Sequence, residues 1–142
     1  MKSYTDLEQS RKLAEILPLE SADMFIADVF NKEQQTHSYN FHILSAWGHK
    51  NFDELKEREN KFVQFIPCWS LAALLDVLPN NKHISTSVSR GGWQIEPINY
   101  LPNIWWCEYE DSENLTEFNV SADNSVDAAF EMILKLKEQN LI

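Results

Sequence analysis

Residues 91–120 read GGWQIEPINYLPNIWWCEYEDSENLTEFNV, and the order of aromatics and carboxylates in this stretch decides the fold. In IWWCEYE, alternation puts Trp105, Cys107 and Tyr109 on one side of a strand and Trp106, Glu108 and Glu110 on the other, because successive side chains of an extended chain point to opposite faces. The carboxylates assign the second side to water, so the first side is core and Trp106 is the large apolar residue left outside. LTEFNVS repeats the pattern, with Phe118 and Val120 inward and Glu117 and Asn119 outward. Residues 111–114 make the turn between the two. Ahead of them HISTSVS is a third β-prone run, and Arg90-Gly91-Gly92 can supply the positive φ of a tight hairpin. Pro97 and Pro102 break WQIEPINYLP into one short strand and an edge or wide loop, since proline cannot donate to a ladder. The prediction is an antiparallel meander in the C-terminal half.

A helix follows the meander. Asn124 is its cap, with Asp127 three residues on, and Val126, Ala129, Phe130, Ile133, Leu134 and Leu136 form its apolar face to about Glu138. It is expected to cross the inner side of the meander and bury Trp105, Tyr109 and Phe118.

Upstream, CWSLAALLDVLP predicts the most apolar helix of the chain, introduced by Pro67 and ended by Pro79. Phe62, Val63, Phe65 and Ile66 just before it also need burial. FDELKEREN reads as a short exposed helix whose acids precede its bases, as the macrodipole prefers. YNFHILSAW reads as a strand and residues 31–38 as a loop. LESADMFIADVF satisfies both periods in part, and the reading leans to a helical turn or short helix. Thr5-Asp6-Leu7-Glu8 reads as a capping box that opens a helix running to Pro18.

Taken together, these elements predict an α+β protein: a single domain, 1–142, with an antiparallel sheet of three to five strands and helices packed mainly on one face. At 142 residues the chain can bury one core without disulfides or metals. It holds no apolar run near the roughly 20 residues of a membrane helix, and MKSYTDLEQSRK lacks the apolar centre of a signal peptide. The expectation is a cytoplasmic protein, off the membrane, with Cys68 and Cys107 as reduced thiols.

Net charge is −10, and its distribution is uneven. Between Arg90 and Lys135 stand nine carboxylates and no Lys or Arg, so that segment carries −9 and the rest of the chain about −1. A phosphate backbone would be repelled, which argues against direct nucleic-acid binding. The acidity belongs to the meander and its helix, and the plain reading of such a run is a solvated face.

Motifs at the two ends and the middle resemble a group of small uncharacterised proteins encoded in phages, prophages and other mobile elements of gut anaerobic bacteria. The matching residues are Tyr4-Thr5 with Glu8-Gln9-Ser10 and Leu13, Ala22-Asp23-Met24, Pro67 with Trp69-Ser70-Leu71, Ala73-Leu74-Leu75, Leu78-Pro79, and Asp127-Ala128-Ala129 with Met132. Cys68 stands where a small residue such as Ala is expected. The resemblance implies a compact α+β domain of mobile-element origin and assigns no activity.

Chemistry-bearing constellations are sparse. Cys68 is the weak catalytic candidate, because a thiol at a helix N-terminus is stabilised as thiolate, but no local signature brings a His beside it. His37, His42 and His49 lack zinc spacing, the Glu110–Asn114 turn lacks the glycine-centred calcium loop, and Gly91-Gly92 lacks the rest of a phosphate loop. No metal or cofactor is expected. What remains is a contact surface on the outer side of the meander: Trp106, Glu108, Glu110 and Glu117, with Trp93 and Tyr100, suited to a basic or amphipathic protein partner or to self-association. The functional expectation is a non-enzymatic accessory or interaction protein. The alternatives are an acidic decoy that mimics nucleic-acid charge to occupy a host DNA-binding protein, and a small enzyme using Cys68.

Overall fold

The first helix, α1 (Leu7–Ala14), starts one residue later than the capping box predicts. Asp6 is the N-cap: its carboxylate accepts from the Gln9 amide, and the Gln9 side chain accepts from the Asp6 amide. The competing candidate, Thr5, is fully buried and occupied elsewhere. Its amide donates to Trp69 O, and its hydroxyl lies 2.8 Å from Ser10 Oγ and accepts from the Trp69 amide at 3.1 Å. In the computed structural model, residues 2–79, 84–91, 104–111 and 115–142 are described, with backbone alone for 84–91 and Ile104.

The chain divides into two compact units, Tyr4–Ala73 and Met1–Ser3 with Leu74–Ile142. The first is built on three antiparallel strands, β1 (Met24–Asn31), β2 (Thr36–Ile43) and β3 (Val63–Cys68), in the order β2-β1-β3. β1 is the segment the sequence reading leans toward making helical, and five consecutive residues, Met24, Phe25, Ile26, Ala27 and Asp28, are buried. A central strand covered on both faces has no polar side, so its apolar run carries no period-2 signature. Residues on one face, Met24 and Ile26, pack with Cys68, Ile66, Phe41 and Leu7 of α1. Those on the other, Phe25 and Ala27, pack with Leu44, Phe52, Leu55, Leu19 and Phe65.

Three further sequence expectations shift here. The predicted loop 31–38 is the tip of the β1–β2 hairpin, with Thr36 already paired to Asn31. FDELKER is a 3-10 helix, Phe52–Arg58, which buries Phe52 and Leu55 against β1. Pro67 lies inside β3, opposite Phe25, instead of opening a helix; proline is tolerated because β3 is an edge strand.

The next helix, α2 (Leu71–Val77), therefore begins later than predicted. Ser70 Oγ accepts from the Ala73 amide, and Asp23 holds Ser70 in turn, accepting from its amide at 2.8 Å and its hydroxyl at 2.5 Å.

The second unit confirms the C-terminal meander. β4 (Ile84–Gly91), β5 (Ile104–Asp111) and β6 (Thr116–Ala122) are antiparallel in the order β4-β5-β6. Arg90 and Gly91, read as a turn, are instead the last two positions of β4, paired with Trp105 and Ile104. Along β5 the alternation holds: Cys107 and Tyr109 are buried, Glu108 and Glu110 exposed. The last helix, α3 (Ser125–Glu138), begins and ends where the sequence places it, with Asn124 Oδ1 accepting from the Asp127 amide at 2.9 Å. It packs on β5 and β6. Val126, Ala129, Phe130, Ile133 and Leu136 are buried on its inward stripe, together with Ala128 and Met132 beside it. Tyr109 stacks on Phe118 at 4.9 Å, and Lys135 Nζ lies 5.9 Å from the Phe118 ring centre.

The protein is thus α+β with antiparallel sheets, as the alternation in 104–120 requires. Among the described residues, no helix is long and apolar enough to cross a membrane.

Candidate functional site

The pairing of β5 with β6 fixes which outer-face residues are neighbours. Trp106 stands opposite Ser121, Glu108 opposite Asn119 and Glu110 opposite Glu117. Directly opposed residues of an antiparallel pair project to the same side, about 5 Å apart, so Glu110 and Glu117 face each other as like charges. Both are exposed, and neither strand contains a Lys or Arg. Glu108, like Glu110 and Glu117, is exposed, on the side of the strands where the alternation puts all three. Trp106 departs from them: the residue is half-buried, not fully exposed. The other two aromatic members of the predicted surface, Trp93 and Tyr100, lie outside the described residues, as do the short strand and edge or wide loop expected for WQIEPINYLP and the expected turn positions 112–114.

Exposed apolar bulk is found elsewhere. Trp47 is 58% exposed and Leu115 91% exposed. Trp47 belongs to the first unit, edge-on to His42 at 5.0 Å and to Phe25 at 6.5 Å. Leu115 occupies the left-handed region (φ 53°) just before β6.

Cys68 is placed at the end of a strand and not at a helix N-terminus. It is fully buried, with Sγ 3.4 Å from Thr5 O and 3.5 Å from Thr5 Oγ1. Burial pushes its pKa up, and the hydrogen bonds from Thr5 and Ser10 only partly oppose this, so the neutral thiol is favoured. Cys107 is also fully buried, and burial together with the Glu108 charge pushes its thiol up to about 12. Neither environment activates a nucleophile. Among the described residues no three His, Cys, Asp or Glu side chains are grouped to hold a metal ion.

A constellation that the sequence reading missed lies on the first sheet. β1 carries Asp28 and Phe30 on the same face as Met24 and Ile26. Asp28 is buried, and its Oδ1 lies 2.7 Å from His37 Nδ1 on β2. Asp28 pairs across β3 with Gln64, and Phe30 pairs across β2 with His37. With Lys61 and Phe62, these residues line an open cavity of about 270 Å³. The histidine ring is bracketed by Phe30 at 5.0 Å and by Tyr39 at 6.1 Å, nearly parallel to the latter. The missed signal was a lone acid inside an apolar run, MFIADVF, which only makes sense once that run is a strand. His49, by contrast, is buried beside Glu54 at 3.2 Å, and Glu54 also accepts from the Lys50 amide, a local tie that holds the start of the 3-10 helix.

Comparison with family models, with curated proteins and with solved structures returns no match to this chain. The class that the fold defines is therefore architectural: an α+β protein with, among the described residues, two three-stranded antiparallel sheets.

Proposed function

We propose that this protein is a non-enzymatic accessory domain of a mobile element that binds a basic or amphipathic protein segment through the outer face of its C-terminal sheet. The observation that carries the reading is Glu110 directly across from Glu117, both exposed, on two strands without a Lys or Arg. Such an arrangement costs stability in the free protein, and a cationic partner relieves that cost on binding. Half-buried Trp106 gives the same face a rigid apolar contact beside the charge. The mobile-element origin is supported by the motif resemblance, and work in the cytoplasm by two free cysteines left unpaired.

The test is calorimetric binding of an amphipathic Lys/Arg-rich peptide at about 50 and 500 mM salt, where screening differs severalfold. Wild type is expected to bind at both. The Glu108→Lys/Glu110→Lys/Glu117→Lys triple variant should lose binding, and Trp106→Ala should weaken it about tenfold, which is about 1.4 kcal/mol. Binding that collapses at high salt and ignores Trp106→Ala assigns the protein instead to the nucleic-acid-mimicking decoys. A wild type that binds no such peptide overturns both readings.

A further inference from the structure

A buried carboxylate on a central strand is expensive unless it is paired, and a hydrophobic residue at the same place would serve stability at least as well. Asp28 is such a carboxylate, flanked along its own face by Ile26 and Phe30. Its partner is not a buried cation but His37, whose side chain is 49% exposed. The pair therefore runs from the floor of the cavity to its mouth, and the carboxylate fixes the ring: Nδ1 faces Asp28, leaving Nε2 as the nitrogen that can meet a ligand. Phe30 and Tyr39 hold the same ring from its sides, so its orientation is set before anything binds.

The remaining lining residues divide into an apolar wall and polar groups. Phe30 and Phe62 supply flat hydrocarbon surface. Lys61 Nζ lies 5.0 Å from the Phe62 ring centre, which ties a positive charge to that wall, and Gln64 adds an amide able to donate or accept. A cavity of about 270 Å³ with this lining matches a small ring and one charged substituent.

We propose that the Asp28–His37 pair, with Phe30, Phe62, Lys61 and Gln64, forms a binding site for a small aromatic carboxylate. The ring of the ligand lies against Phe30 and Phe62, and its carboxylate meets Lys61 and His37 Nε2. Nδ1 faces Asp28 and a carboxylate ligand brings no proton, so the hydrogen bond between His37 Nε2 and the ligand forms with one proton taken up from solvent. Asp28 is a positioning residue, because it reaches the ligand only through the histidine.

Benzoate is the probe, followed by amide chemical shifts in the full-length protein. It should give a saturating titration that shifts residues 28, 30, 37, 62 and 64. Acetate, which has the charge without the ring, and benzyl alcohol, which has the ring without the charge, should bind at least about tenfold more weakly. His37→Gln and Lys61→Met, both altering exposed or mouth-lining groups, should each weaken benzoate about tenfold while leaving the rest of the spectrum in place. Asp28→Asn should weaken it as well and change the tautomer that the His37 ring nitrogens report, a change that loss of packing alone does not produce. A response to benzoate that fails to saturate, that acetate reproduces, or that survives in His37→Gln overturns the proposal. The acidic face of the C-terminal sheet plays no part in this titration, so the peptide test and the benzoate test fail independently.

Discussion

The two sheets have the same strand number and the same antiparallel pairing, yet they are buried in opposite styles. β1, the centre of the first, is covered on both faces, and Phe25 and Ile26, adjacent in sequence, are 3% and 0% exposed. β5, the centre of the second, has one covered face, so buried Tyr109 is flanked by exposed Glu108 and Glu110. The difference follows from what packs where. α1 and the Phe52–Arg58 turn sandwich β1 between them, while α3 covers the inner side of the second sheet. Where β1 is sandwiched this way, from Met24 to Ala27, both faces serve the core, and the polar cavity of the first sheet opens only further along, at Asp28 and Phe30. A sheet with an open side has residues free to carry charge, and there the like-charged Glu110–Glu117 pair is tolerated.

Substituting neighbours along each central strand tests this contrast most strongly. Phe25→Ala and Ile26→Ala should each destabilise the first unit, by about 3–5 and 2–5 kcal/mol, since each removes packing from a different buried face. On β5 the same exercise should be lopsided, with Tyr109→Ala costing several times more than Glu108→Ala, which should stay within about 0.5 kcal/mol. Urea unfolding monitored by amide signals of each unit reads all four. Equal costs at Glu108 and Tyr109 would mean that the second sheet is also covered on both sides.

Alkaline pH sharpens the contrast from inside the second unit. The Cys107 thiol is raised to about 12 in the folded protein from an ordinary value of 9.0. Above pH 9 the unfolded chain loses that proton while the folded chain keeps it, so stability present below pH 9 is lost as pH rises toward 12. The slope is about 1.4 kcal/mol per pH unit. Other groups also titrate there, so the quantity to measure is the difference between wild type and Cys107→Ala in urea midpoint at pH 9 and pH 11. Wild type should lose about 2 kcal/mol more than the variant, since the unfolded thiol is already half-titrated at pH 9. Parallel losses would mean that Cys107 meets solvent.

The same contrast explains what could be read from the sequence. IWWCEYE and TEFNV announce their faces because carboxylates mark the wet side at every second residue, and the Asn124 cap with its stripe to Glu138 gives α3 to the residue. MFIAD gives no such mark, because the first five positions of β1 are buried on both sides and have no alternation to show. Thr5 mimicked a cap because its hydroxyl is the right type three residues before Glu8; a tertiary partner, the Trp69 amide, claimed that hydroxyl, and Asp6 took the role. The Asp28–His37 pair was illegible for the same reason as β1: nine residues separate its members, and only the hairpin register brings them together.

Helix caps offer a smaller comparison between the two units. Asn124→Ala removes the acceptor of the Asp127 amide, and Asp6→Ala removes that of the Gln9 amide. Each should cost about 1 kcal/mol. The α3 cap should cost more in cooperativity, because α3 covers the sheet with seven buried apolar side chains from Val126 to Leu136, whereas α1 buries Leu13 and Ser10. Amide exchange of β5 and β6 in Asn124→Ala, set against exchange of β1 in Asp6→Ala, measures this. Acceleration confined to the helix in both variants would show that neither cap is coupled to its sheet.

The smallest expected effect bears on function most directly, and its value lies in its sign. If Glu110 and Glu117 repel across the strands, Glu110→Lys should stabilise the second unit by about 0.2–1 kcal/mol, and so should Glu117→Lys, since each converts a like pair into an opposite one. The double variant restores a like pair, now of two cations, and should return close to wild type, leaving a coupling energy larger than either single change. That non-additivity separates direct pairing from a general response to lower net charge, which would make the double variant the most stable of the four. The cycle needs low salt, because at exposed positions screening erases most of the difference. A double variant more stable than both singles would place the acidity of this face in the mean field of a −10 protein, and would remove the local repulsion on which binding of a basic partner is argued.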